Sequence, residues 1–236
     1  MSRQQVGQRV LCSQARVDGH RLRRRRRATP DLGTLEDFAH RLAEAPLLVD
    51  ETSSLTILEL RARARMAYRK HKIRAVFVDY LQLMHTPGSE SRQQEVATIS
   101  RGLKALAKDL NIPVIAMAQL NRNPEDKSRK GNRPRMSDLR ESGAIEQDAD
   151  VVMLLHRESY YRMGLGASGD ETQETPPQAP FDPDENIAEL IIAKNRNGPV
   201  GTIKLHFSRH YTRFDNHDPR GREPDYGPNG DQDAPF

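Results

Sequence analysis

A single cysteine, Cys12, in 236 residues leaves no partner for an intramolecular disulfide and fits a reducing compartment such as the cytosol. No apolar run approaches the roughly 20 residues of a membrane span, and the amino terminus has arginines but no apolar core of signal-peptide length. The eight histidines are scattered without metal-ligand spacing. No Ser/His/Asp or Cys/His arrangement stands out. Disulfide scaffolds, membrane spans, zinc modules and the common nucleophilic hydrolases are thus set aside, and a soluble, cytoplasmic protein is the expectation.

What is present is unevenly charged. The formal net charge is +4, but residues 1–46 hold ten Arg/Lys against five Asp/Glu. Residues 121–140 hold seven against three, whereas residues 164–186 hold six acidic residues and no basic one. Polyanion binding, if any, is therefore regional. The run from Arg23 to Arg27 suits nucleic acid, yet no aromatic residue interleaves it to stack on bases, and a solvated stretch reads the same way.

Apolar spacing predicts an amphipathic helix near the amino terminus through Val6, Val10 and Leu11, and a second through Leu35, Phe38 and Leu42. Then come short, almost continuously apolar runs of the kind buried parallel strands show: Leu47-Leu48-Val49, Ala75-Val76-Phe77-Val78 and Val114-Ile115-Ala116-Met117. Helical spacers separate them. One starts at Thr56 with Glu59 three residues on, a capping box, and the other runs through Val96, Ile99, Leu103, Leu106 and Leu110. Alternating strands and helices predict a mostly parallel sheet flanked by helices, hence an α/β fold. Later runs at 151–155, 187–193 and 202–207 follow, the last two joined by Asn195-Arg196-Asn197-Gly198, which predicts an antiparallel hairpin. The acidic segment 164–186 and the tail 215–236 read as poorly ordered.

Four places invite chemistry. Asp79 ends the run 75–78, at the edge where open α/β sheets bind ligands, and an aspartate there can hold magnesium through water. An Asp merely ending a strand fits equally. Gln119 ends the next strand in the corresponding place, where a neutral amide can touch a terminal phosphate. Lys194 and Arg196 alternate at a strand end and project to one side, a spacing that suits phosphate oxygens but also an ordinary charged edge. Finally, Ser137 to Asp150 follows the basic loop of Lys127, Arg129, Lys130, Arg133 and Arg135. Its backbone amides and Arg140 can hold the phosphates of a single strand, although Ser137 and Asp138 are also good caps for a solvated helix.

Read in order, several blocks resemble replicative helicases of the DnaB family. They are Leu47-Leu48-Val49-Asp50-Glu51 with Leu55-Thr56-Ile57, then Val76-Phe77-Val78-Asp79-Tyr80-Leu81-Gln82-Leu83-Met84, and then Gln119-Leu120-Asn121-Arg122. Ser137-Asp138-Leu139-Arg140-Glu141-Ser142-Gly143 and Ile192-Ala193-Lys194-Asn195-Arg196-Asn197-Gly198-Pro199 complete the series. The resemblance extends over about residues 1–214 and implies a RecA-like motor that assembles as a homo-hexamer around single-stranded DNA, with ATP between subunits. Asp79 would then be the magnesium-associated aspartate and Gln119 the sensor of phosphate state. Lys194 and Arg196 would reach a neighbour's ATP, and Arg140, Glu141 and Gly143 would contact the DNA backbone.

One departure matters. No G-x-x-x-x-G-K-[ST] occurs anywhere, so the nest that cradles phosphates is missing, along with the strand the family places before it. The expectation is a motor fragment without ATPase activity of its own, which uses ATP and magnesium only with a neighbouring or complementing subunit. Primase and a helicase loader would be partners through parts outside this chain. The implied division is an Arg-rich helical segment 1–46, a RecA-like core 47–214 and the acidic tail 215–236. Alternatives are a catalytically inactive DNA-binding or ring-interaction subunit, and a RecA- or RadA-type recombinase relative.

Overall fold

A computed structural model of the chain describes residues 2–19, 30–120, 133–159 and 186–218. The Arg23–Arg27 run, the basic residues Lys127, Arg129 and Lys130, and nearly all of the acidic insert and tail lie outside these residues. None of the described helices is long and apolar enough to cross a membrane.

Helix α1 (Arg3–Ala15) begins at Ser2, whose hydroxyl accepts the Gln5 amide while the Gln5 side chain accepts the Ser2 amide. Helix α2 (Pro30–Glu44) packs on it through Leu35 and Phe38, which meet Leu11, Ala15 and Val17. Helix α3 (Ile57–His71) has the expected capping box: Glu59 Oε2 accepts the Thr56 amide at 2.9 Å, and Thr56 Oγ1 accepts the Glu59 amide at 3.2 Å. Helix α4 (Arg92–Leu110) ends on Asn111, whose φ of 51° is left-handed backbone that asparagine tolerates.

There are two sheets, and helix α4 packs against the first of them. Strands β1 (Val76–Val78) and β2 (Val114–Ala116) pair in parallel, Val76 opposite Val114 and Val78 opposite Ala116. A short helix α5 (Gly143–Asp148) then leads into β3 (Val151–His156), β4 (Ile187–Asn195), β5 (Gly201–Ser208) and β6 (Arg213–Asn216), an antiparallel sheet in that order. The expected hairpin is β4–β5. Among the described residues, parallel strand pairing is thus confined to β1 and β2, with one isolated parallel bridge between Thr56 and His85.

The apolar face of α4 explains why the parallel pair sits on it. Ile99 and Leu103 pack with Leu81 and Met84 beyond β1, and Val78, Val114 and Ala116 close over them. Leu106, fully buried, packs with Ala64, Leu110, Val76 and Val114. Burying such a side chain contributes about 1.5–3 kcal/mol. Toward the second sheet, Ser100 Oγ donates to Asp148 Oδ2 at 2.7 Å and Lys104 pairs with Asp150, so α4 also holds both ends of the turn after α5. Helices α3 and α4 approach so closely at Gly102 that a Cβ there would lie 2.2 Å from Ile57 Cγ1, which only glycine avoids.

The run Leu47-Leu48-Val49 forms no strand. Among the described residues no strand edge pairs with it, and Leu47 and Leu48 stay about half exposed. Polar anchors hold the segment instead. Arg63 Nη1 donates to Asp50 Oδ2 at 2.7 Å and the Thr52 amide to Asp50 Oδ1 at 3.0 Å, bonds that lower the Asp50 carboxyl from 3.8 to about 2, Arg63 contributing most. The second sheet is likewise one-sided. Val152, Leu154 and His156 are buried while Val151, Met153 and Leu155 between them are exposed.

Candidate functional site

Asp79 and Gln119 follow adjacent parallel strands at the same, carboxyl, edge. Residues 76, 78, 114, 116 and 118 face the core over α4, and on the alternate positions Phe77, Asp79, Met117 and Gln119 are exposed and Ile115 is half-buried. Period-two alternation therefore sets Asp79 and Gln119 on one face of the sheet, away from α4. The ladder continues past the strands: the Met117 amide donates to the Val78 carbonyl at 3.0 Å, and the Leu81 amide to the Met117 carbonyl at 2.9 Å. The two strand ends are thereby fixed relative to each other.

Gln82 tightens this further. Its Oε1 accepts the Gln119 amide and its Nε2 donates to the Gln119 carbonyl, both at 3.2 Å, an amide clamp on the backbone at the end of β2. From behind, Arg92 Nη2 donates to the Gln82 carbonyl at 3.0 Å. Arg92 also pairs with Glu95, whose carboxyl is lowered first by the Thr86 amide it accepts and further by Arg92. The side chains of Asp79 and Gln119 make no hydrogen bond or ion pair among the described residues. Gln82, in a single 3-10 turn at 81–83, and Arg92, the first residue of α4, carry no periodic signature that would single them out in the sequence.

A magnesium ion binds through one or two carboxylates plus water and phosphate oxygens. One exposed carboxylate without a partner among the described residues, Asp79, fits that need. No cluster of three metal-ligating groups is found among the described residues.

Lys194 and Arg196 stand elsewhere, at the end of β4, and a bulge decides where they point. Val152 pairs with Lys194 but Met153 pairs with Ile192, so Ala193 is an extra residue. Without the bulge, Ala193 would pair with Val152 and Lys194 would share the outer face of Ile192 and Met153. With it, Lys194 lies beside Val152 on the face that carries α5. Lys194 Nζ donates to the Glu146 carbonyl at 2.5 Å, and Arg196 Nη2 donates to the Gln147 carbonyl. Both cations thus complete the carboxyl-terminal turn of α5, where unpaired carbonyls and the negative end of the helix favour positive charge. Arg196 also donates its backbone amide to the Asp150 carbonyl at 2.9 Å and lies 3.6 Å from Asp150 Oδ1. Lys104 is the main cause of the lowered Asp150 carboxyl, with Arg196 and Lys194 adding to it.

The segment with Arg140, Glu141 and Gly143 is a 3-10 helix, Met136–Ser142, running directly into α5, whose first residue is the exposed Gly143. Its start is not capped as expected by Ser137 or Asp138 acting as first residue. Arg135 occupies the cap position and Asp138 Oδ2 accepts its amide at 2.8 Å, because the helix begins two residues earlier than the polar pair suggested. Leu139 anchors the segment against Val152 and Leu154. The side chains of Arg140 and Glu141 lie outside the described residues.

The structure thus brings Asp79 and Gln119 together, and separately gathers Lys194, Arg196 and the 136–148 segment around α5. The model of the DnaB-like helicase C-terminal domain matches residues 1–216. The replicative DNA helicase DnaB of Geobacillus stearothermophilus is 41% identical over 218 residues, 92% of this chain and 44% of that protein. That of Leifsonia xyli subsp. xyli is 43% identical over 216 residues, 91% and 43%. Among solved structures, an isolated ATPase domain aligns with a TM-score of 0.76 at 32% identity, covering 92% of this chain and 72% of that one. A DnaB-like replicative helicase, solved in a study of its interactions with primase, aligns with a TM-score of 0.76 at 31% identity, covering 92% and 49%. The chain spans less than half the length of the DnaB relatives, and the RecA-like α/β class expected from the sequence holds. On a match that takes in nearly all of its residues, the chain belongs to the DnaB-like helicase C-terminal domain family.

Proposed function

We propose that this chain is part of a replicative-helicase motor that grips single-stranded DNA during replication and contributes two separate sets of groups to ATP sites between subunits. Asp79 holds a magnesium ion through water, and Gln119 senses the terminal phosphate beside it. Lys194 and Arg196 act on the ATP of a neighbouring subunit in a homo-hexamer or with a complementing helicase subunit. Arg140, Glu141 and the backbone at Gly143 contact the DNA phosphates, a grip without sequence preference that suits a moving motor. When bound, magnesium neutralises charge on the phosphate oxygens. Primase and a helicase loader, on this reading, bind other parts of the assembled protein in the cytoplasm.

The observation that carries the reading is the pairing of Asp79 and Gln119 at one edge and on one face of a parallel strand pair, with both side chains open to solvent. No glycine-rich phosphate nest occurs in the sequence, so the chain alone should not hydrolyse ATP. The test is complementation. Mixed with a segment of a DnaB relative that carries the phosphate-binding loop, this chain should restore ATP hydrolysis stimulated by an oligo-dT strand. Binding of the strand without any ATP turnover, whatever segment is added, would instead mark an inactive DNA-binding subunit.

A further inference from the structure

We propose that Asp150 is a positioning residue for Arg196, and that the carboxyl end of α5 is a socket that preorganises the Lys194–Arg196 pair. The inference rests on the reading of those two cations as groups that act on a neighbour's ATP, and it says how they are controlled.

An unrestrained arginine has much rotamer freedom to lose before it can meet a phosphate. Here that loss is largely made in advance. The Arg196 backbone is fixed by the 2.9 Å bond to the Asp150 carbonyl, its guanidinium is fixed by the Gln147 carbonyl, and Asp150 Oδ1 stands 3.6 Å from Nη1. A guanidinium carries five N–H donors, and these contacts leave others available for phosphate oxygens. The socket therefore orients the cation without using it up.

Asp150 itself is held. Lys104, from the middle of α4, pairs with its other oxygen, and the neighbouring Asp148 accepts from Ser100 one turn earlier on α4. Three cations, Lys104, Arg196 and Lys194, act on the one carboxylate of Asp150. The socket also lies at the far end of the short helix that begins at Gly143 and continues the proposed DNA-contacting segment. Anything that orders residues 136–143 bears on the carbonyls of Glu146 and Gln147, to which both cations donate. DNA contact and the posture of the cations are in this way joined through one short helix.

The experiment uses the full chain with Asp150→Asn, which keeps the side-chain volume and the backbone acceptor but removes the charge. In arginine-labelled protein followed by NMR, exchange of the Arg196 guanidinium protons with water should quicken at least tenfold, with little change in melting temperature. In the ATP-hydrolysing mixture with a loop-bearing segment, kcat should fall about tenfold with KM for ATP unchanged, and Asp150→Glu should recover part of it. Unchanged guanidinium exchange would overturn the proposal, as would faster exchange with an unaltered kcat. A melting loss as large as that of a core truncation would also overturn it, by making Asp150 a structural residue. If the unsubstituted mixture never hydrolyses ATP, the functional reading fails, while the exchange measurement still decides whether Asp150 holds Arg196.

Discussion

The strand-end half of the candidate site and its cation half are built on opposite principles. Asp79 and Gln119 sit at bare strand ends whose backbone is locked, by the ladder and by Gln82, while their side chains are left without partners among the described residues. Lys194 and Arg196 have side chains already bound to the carboxyl end of α5. A short carboxylate on a rigid strand is directed by its backbone alone. A long, flexible cation needs a second support, and the nearby helix end supplies one.

The contrast can be broken at the cation half first. Arg196→Ala in the complemented assembly should lower kcat by about a thousandfold while nucleotide binding is largely kept, because a cation acting in trans stabilises charge that develops only in the transition state. Equal loss in nucleotide affinity, measured by a fluorescent nucleotide analogue, would place Arg196 in ordinary ligand binding. A second break separates the halves by stability. Leu106 packs under β1 and β2 rather than under β4, so Leu106→Ala should cost about 2–5 kcal/mol in urea denaturation. Amide exchange should then quicken more around residues 76–78 and 114–119 than around 187–195.

The smallest expected effect sharpens the comparison within the strand-end half. Gln82→Ala removes both bonds to the Gln119 backbone and should cost about 1 kcal/mol in the same assay. In the complemented assembly it should weaken DNA stimulation more than basal turnover, since only the placement of Gln119 is loosened. A uniform loss of both rates would make the clamp a matter of folding alone.

Much of this was legible in the sequence where periodicity and capping chemistry act locally. The Thr56–Glu59 capping box, the apolar face of α4 and the 195–198 hairpin turn stand where their residue types place them. Asp79 directly follows β1, as the apolar run before it predicts, whereas β2 stops at Ala116 and Gln119 lies three residues beyond it rather than ending the strand. The segment 47–49 did not become a strand because strand formation depends on a partner edge, which a run of apolar residues does not specify. Ala193 was invisible for a related reason: a bulge is a mismatch in count between two strands, and neither strand alone carries a mark of it. The socket at α5 was equally hidden, since its acceptors are backbone carbonyls that any residue would supply.

That extra residue has a further consequence for how this hairpin can vary. Turn tips accept insertions readily, but in β4 parity is information: pairing Ala193 regularly with Val152, without loss of any residue, would send both positive side chains to the opposite side. A sequence can thus keep Lys-x-Arg letter for letter and still lose its aim, so the register of β4 against β3 says more about competence than the motif does.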